Sequence, residues 1–320
     1  MKSFLTRLLY FSVYAILVYF IATAFVGSFF PDRYKKNLKY VLGGNGNMYT
    51  RVRQADSVKN VDVLVIGSSH AYRGYDPRIF AAHGIKMFNL GSSAQTMLQT
   101  EALLKQYLNH IHPKFIIYDV YPVFLGSNGI ESALDVVSNG HVDGSTFNMA
   151  LRTNSIEVYN TMFYSYFRER AGLNKNFTES LKKDSDTYIS GGFVQSYEVS
   201  SPEDRMYAKA SAYKFDDKQI AALKRIAAMF KAHNIPFVLL QAPLPVKRYT
   251  AITNNSSVDS LLSGVGKYYN FNKLITIPDS MFADNSHLNQ WGVNIYNTAV
   301  IKQLKLGKTS AAAVANSIKQ

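Results

Sequence analysis

Cysteine is absent from the 320 residues, which excludes both a disulfide framework and thiolate chemistry. That absence is compatible with either side of a membrane. Acidic residues are scarce: 22 Asp and Glu stand against 35 Lys and Arg, a formal net charge of +13. Such an excess biases the surface toward anionic partners. No recognition motif for nucleic acid accompanies it, so no nucleic acid partner is expected, and an anionic membrane or envelope polymer remains. Charged residues make up only 18% against 47% hydrophobic, too apolar a balance for a disordered chain. No internal repeat is visible, and the length suits one large domain or two small ones.

Charge is missing altogether from Leu8 to Phe30, between Arg7 and Asp32. As a helix that run is ~34 Å long, enough for a hydrocarbon core of ~30 Å. Tyr10, Tyr19 and Phe29 supply aromatics, those near the ends suiting the interfacial zone. The apolar centre is longer than the core of a signal peptide, so residues 1–31 read as an uncleaved anchor and not a signal peptide. Lys2 and Arg7 precede the span, whereas Arg33, Lys35, Lys36 and Lys39 follow it. Counted literally, these charges put the large domain in the cytoplasm, although long domains can translocate regardless. Residues 32–60, basic and with a Gly43–Asn47 turn cluster, read as a solvated juxtamembrane linker.

The stretch around which the remainder is organised is Val61–Pro77, VDVLVIGSSHAYRGYDP. Val61–Ile66 is a short, β-branched apolar run closed by Gly67, the pattern of a strand buried on both faces. Lys86–Leu90 and Lys114–Val120 are further strands, with an imperfect helix between them over Ala94–Asn109. This is the rhythm of a doubly wound sheet. It breaks over residues 124–213, read as a mainly helical insertion capping the sheet. There, Ile156–Arg170 is a helix whose aromatic stripe of Ile156, Tyr159, Phe163 and Tyr166–Phe167 is expected to face the core. The rhythm returns with a helix capped by Asp216 or Asp217 and a strand at Pro236–Gln241. A helix at Ser257–Tyr268, a strand at Lys273–Ile277 and a last helix at Asn289–Leu304 complete it. The α/β domain is therefore expected over 61–305, with a fraying tail over 306–320.

Ligand chemistry in open parallel sheets sits beyond the carboxyl ends of the strands, where Ser68 and Ser69 fall. On the local sequence alone, Gly-Ser-Ser reads first as an ordinary tight turn. Asp284 and His287, three apart in DSMFADNSHLNQWG before the last helix, alter that balance. Alone they would be a polar loop capping a helix. Taken together, the two blocks resemble the SGNH (GDSL-like) hydrolase superfamily. In that superfamily the nucleophilic serine follows the first strand, and an Asp-x-x-His block precedes the last helix. His287-Leu288-Asn289 followed by Gly292 is also typical. The resemblance covers Val61–Val123 and Asp216–Ile301 and leaves out the insertion.

The resemblance implies a three-layer, doubly wound, mainly parallel five-stranded α/β sheet of flavodoxin-like SGNH type. It also implies Ser69 as nucleophile, His287 as base and Asp284 as its orienting acid. A serine hydroxyl is a weak nucleophile without an adjacent base, which is why these residue types are needed. Backbone N–H groups of Ser69 and Gly91 would form the oxyanion hole. The superfamily's third block supplies an asparagine to that hole, but Tyr118–Pro122 has none. Asp119 cannot inherit the role, because a carboxylate repels an oxyanion. Ser68, His70, Arg73, Asp119 and Tyr121 are candidates for the substrate pocket. Arg73 would meet an anionic substrate group or pair with Asp76 or Asp119. His110 and His112 are read as polar groups at a helix end and not as metal ligands.

The departure at the third block, with Gly-Ser-Ser in the first, is similar to a divergent membrane-anchored branch. That branch includes the D-alanyl-transfer protein of teichoic acid systems and the acetyl-transfer proteins of polysaccharide O-acetylation. Resemblance to it implies a bacterial, single-pass membrane protein with its domain on the extracytoplasmic side. It would act as a serine esterase or O-acyltransferase on an envelope polysaccharide or related glycopolymer. A multi-spanning membrane-bound O-acyltransferase is the implied partner, beside the lipid bilayer itself, and no metal or cofactor is implied. Two other readings stand beside it: a non-catalytic binding or assembly subunit that kept the fold, and a membrane-proximal lipid esterase.

Overall fold

A computed structural model describes residues 1–201 and 210–307, so the tail expected over 306–320 lies outside the described residues from 308 onward. The uncharged run lies in helix α1 (Lys2–Phe29), long and apolar enough to cross a membrane. Helix α2 (Met48–Ala55) precedes the sheet. Then follow β1 (Val63–Gly67), α3 (Ser69–Gly74), α4 (Pro77–Ala82), β2 (Met87–Asn89), α5 (Met97–Ile111) and β3 (Phe115–Asp119). The insertion carries α6 (Ile130–Asn139), α7 (Gly144–Thr153) and α8 (Ile156–Arg170). It also carries β4 (Lys182–Lys183), β5 (Asp186–Ile189) and β6 (Phe193–Gln195). The last part comprises α9 (Asp217–Ala232), β7 (Phe237–Gln241), α10 (Val246–Thr250) and α11 (Asn255–Ser263). It ends with β8 (Tyr268–Asn270), α12 (Phe271–Leu274) and α13 (Gln290–Gln303).

Five strands pair in parallel in the order β2-β1-β3-β7-β8. The chain starts in the second position, goes to one edge, then crosses back to fill the other side. In such sheets ligands bind where the winding reverses, beyond the carboxyl ends of the strands. β1 shows why both faces are apolar: Leu64 and Ile66 pack under α5 and α9, whereas Val63 and Val65 pack under α4 and α13. With the sheet between these two helical layers, this is the three-layer α/β arrangement the apolar strand runs imply.

Several expectations need correction. The fifth strand is β8 and not Lys273–Ile277. Gly264 ends α11 early, and the strand forms five residues sooner, pairing Tyr268 with Leu239. Asn270 then caps a short helix by accepting a hydrogen bond from the Asn272 N–H. The apolar KLITI run therefore begins inside a helical turn. The stretch read as a solvated linker is partly core: Met48, Val52 and Ala55, spaced on one face of α2, are buried in the main apolar cluster. The insertion is mainly helical as expected, and it also carries an antiparallel sheet of β4, β5 and β6. Finally, the buried side of α8 is Val158, Thr161, Met162, Tyr164 and Ser165, and of the expected stripe only Tyr159 and Phe163 pack, partly buried, against the main apolar cluster. Ile156 and Tyr166 on that stripe are exposed, and Phe163 and Tyr166 meet Phe20 of α1 edge-on.

Candidate active site

Strand β1 ends at Gly67, whose φ of 143° belongs to the region that favours glycine. A Cβ there would stand 2.4 Å from the Asp119 carbonyl oxygen of the paired strand, so the residue must be glycine. The chain turns sharply and starts α3. Ser68 caps that helix, its hydroxyl accepting from the His70 N–H at 3.3 Å. Ser69, the next residue, is half-buried and points its hydroxyl out of the sheet's carboxyl edge toward the loop before α13.

That loop is a tight reversal. Phe282 and Leu288 form an antiparallel bridge, and the Ala283 N–H donates to the His287 carbonyl at 2.8 Å. Asp284 closes it from within: Oδ1 accepts from the backbone N–H of Ser286 at 2.7 Å and of His287 at 2.8 Å. Asn289 then caps α13, accepting from the Gly292 N–H. The Asp-x-x-His spacing thus serves both as a loop lock and as a side-chain pair.

The structure brings Ser69, His287 and Asp284 together. His287 Nε2 lies 2.7 Å from Ser69 Oγ, and its Nδ1 lies 2.6 Å from Asp284 Oδ2. An ionised carboxylate can only accept, so Nδ1 carries the proton. In the neutral ring Nε2 is then a lone pair, and the serine hydroxyl donates to it. Burial pushes the Asp284 carboxyl up, but the hydrogen bond and charge of His287 and the two backbone donors outweigh it. The carboxyl is held below the usual range and stays ionised.

His70 is buried behind this triad. Its ring stacks on Tyr121 at 3.9 Å and meets the His287 ring edge-on at 5.1 Å. Burial, with the nearby His287, holds its pKa well below the ordinary imidazole value, so it is a neutral wall. Tyr121 is fixed in turn by Arg248 of α10, whose Nη2 donates to its hydroxyl at 2.9 Å while Nη1 donates to the Asn285 carbonyl at 2.8 Å. Sequence reasoning missed Arg248. Its only signal is a cation shortly after the carboxyl end of a strand.

Three candidates are not where they were expected. Asp119 is not in the pocket: it is 1% exposed and accepts from the Tyr75 hydroxyl at 2.8 Å, in the core beneath α3. Burial pushes its carboxyl up to about 7, against the opposing Tyr75 hydrogen bond. Arg73 pairs neither with Asp76 nor with Asp119. It forms a two-pronged ion pair with Asp186 of β5, Nη1 to Oδ1 being 2.9 Å. That contact ties the inserted sheet to α3, and only the tertiary fold could reveal it. Gly91 is not a free oxyanion donor, because its N–H donates to the Asn89 side chain at 3.0 Å. Ser69, as the first residue of α3, keeps an N–H for which a helix offers no internal acceptor.

No family model and no curated protein matches the chain. Solved structures similar to it include a GDSL-like lipase from Bacteroides thetaiotaomicron. That match has a TM-score of 0.41 at 11% identity, over 85% of this chain and 98% of that one. Another is a catalytic mutant of an acetylxylan esterase from Geobacillus stearothermophilus, with a TM-score of 0.39 at 10% identity, over 79% and 98% of the two chains. At such values the chemistry has to be read from the site itself.

Proposed function

We propose that this protein is a membrane-anchored serine esterase or O-acyltransferase of the SGNH type, acting on an acylated envelope polysaccharide or related glycopolymer. The observation that carries the reading is the unbroken hydrogen-bonded line Ser69 Oγ–His287–Asp284, drawn from opposite ends of the chain. Ser69 Oγ attacks the ester carbonyl carbon as His287 Nε2 takes its proton. His287 returns that proton to the departing alcohol as the carbon–oxygen bond breaks, leaving an acyl-serine. Water or an acceptor hydroxyl then repeats the cycle in reverse. The Ser69 N–H is the oxyanion donor this reading assigns. Helix α1 holds the domain at the membrane, and the resemblance named above argues for the extracytoplasmic side and a multi-spanning acyl-delivering partner.

A second reading has its own support. With Gly91 engaged and Asp119 turned into the core, neither of these positions offers the hole a second donor, and losing one typically lowers turnover ~10²–10³-fold. That favours a slow enzyme or a binding subunit. Fluorophosphonate labelling distinguishes them. Covalent labelling of the native chain at Ser69, abolished in Ser69→Ala, is the expected result. A native chain that resists the probe while remaining folded sinks the enzymatic reading. Protease added to intact spheroplasts is expected to digest the large domain; protection until lysis reverses the sidedness.

A further inference from the structure

The aromatic stripe of α8 is the feature the proposed catalysis does not absorb. Tyr159 and Phe163 pack partly against the main apolar cluster, and Phe163 and Tyr166 meet α1. Tyr19 hydrogen-bonds Asn160, and Phe20 packs edge-on against Phe163 and Tyr166. Further along α1, Thr23, Ala24 and Gly27 are buried, and Gly27 is so close to the Tyr164 ring that a Cβ would stand 2.4 Å from it. Helix α1 is thus docked on the domain from Tyr19 to Gly27. Its undocked uncharged part, Leu8–Val18, is ~17 Å long, about half of a ~30 Å hydrocarbon core. If Leu8 sits at the far boundary, the core is crossed only near Gly27, and tilting the helix lengthens the stretch required. The docked turns must therefore lie at hydrocarbon depth, and α8 goes with them.

The side chains beside this contact suit that depth. Phe147 and Leu151, one turn apart on α7, are 46% and 50% exposed, and Ile156 at the start of α8 is 50% exposed. A groove of about 840 Å³ runs between α1 and the insertion, lined by Ile16, Phe20, Phe147, Phe163 and Tyr166. Arg170 also lines the groove, its guanidinium 5.1 Å from the Tyr166 ring and its long apolar stem able to carry the charge toward water. The acidic group at the groove, Asp143, is occupied as the cap of α7, accepting from Ser145 and Thr146. Exposed Arg33, Lys36 and Lys39 follow α1 and favour anionic headgroups.

We propose that the α7–α8 face of the folded domain is itself seated in the bilayer, its groove filled by lipid acyl chains, so that α1 is part of an inserted platform and not a free tether. The proposal rests on α1 crossing a membrane but not on the Ser69 chemistry. The absence of native cysteine allows a direct test in the full chain. Phe147→Cys, Leu151→Cys, Val13→Cys in α1 and Leu274→Cys on the opposite layer are each labelled with a nitroxide. The proteins are reconstituted in phosphatidylethanolamine–phosphatidylglycerol vesicles, and collision with oxygen is compared with collision with a water-soluble nickel chelate. Labels at 147 and 151 are expected to match position 13, with oxygen-to-nickel ratios severalfold above position 274. If they match position 274 while position 13 remains in lipid, the platform is refuted and the anchor stands. If position 13 is also aqueous, both fail. Shielding of 147 and 151 from both reagents would mean a second copy of this chain over the groove, and would overturn the lipid assignment.

Discussion

Replacing Asp284 with asparagine exchanges one carboxylate oxygen for an amide and leaves the side-chain shape unchanged. Asparagine Oδ1 can still accept from the Ser286 and His287 N–H groups, now at 2.7 and 2.8 Å, so the loop stays locked. The change in stability should be below ~1 kcal/mol. The amide then faces His287 Nδ1 as a donor, where the carboxylate accepted at 2.6 Å. Nδ1 must become the acceptor, the ring proton moves to Nε2, and His287 can no longer take the Ser69 proton. For a fully buried triad aspartate this inversion lowers turnover by ~10⁴. The Asp284 side chain is 46% exposed, so water competes for the ring and part of the correct tautomer survives. The expected loss is therefore smaller, ~10²–10³-fold, or about 2.7–4 kcal/mol of transition-state stabilisation. Initial rates on p-nitrophenyl acetate, with melting curves on the same samples, give both quantities. A variant that melts like the parent and hydrolyses within threefold of it would refute the assignment of Asp284.

Ser69→Ala, His287→Ala and their double variant are expected to lose activity to the same floor, below that of Asp284→Asn, because the triad acts as one unit. Ser68→Ala, which removes only a 3.3 Å cap contact, should keep most activity; the ester assay run on all four checks whether the nucleophile is the right serine. Asp119→Asn should show a pH-dependent gain in stability. The folded carboxyl titrates at about 7, above its ordinary value, so its contribution to the wild type is full at low pH and lost as pH rises through 7. The variant should melt higher than wild type at pH 8 and about equally at pH 4, and the opposite ordering in calorimetry would contradict the buried, Tyr75-bonded placement. Gly67→Ala should fail to fold or lose several kcal/mol, combining a positive φ with a Cβ placed against the Asp119 carbonyl; a folded variant of normal melting temperature would contradict the turn geometry.

The sequence by itself determined the parts of this protein that depend on local pattern. Short, mainly apolar runs closed by glycine or turn residues place β1, β2, β3 and β7, because a strand covered on both faces has to be apolar. A side chain that accepts from the N–H groups of the next residues marks a helix start without tertiary help, and Asp216 and Asn289 do so. Asp284 and His287 were legible only through the resemblance of their block to a known one, although the loop that holds them is locked by its own hydrogen bonds. Only the tertiary structure decided what depends on distant partners. Whether Arg73 meets a substrate or Asp186, whether Gly91 is free or held by Asn89, and whether Asp119 faces the pocket or Tyr75 all turn on which side chain arrives from another element. The α8 stripe shows the limit most plainly. Periodicity gives the apolar face of a helix, but not how that face is divided between the core, which takes Tyr159 and Phe163, and another helix, which takes Phe163 and Tyr166. That choice was made by α1, more than a hundred residues earlier in the chain, lying against it.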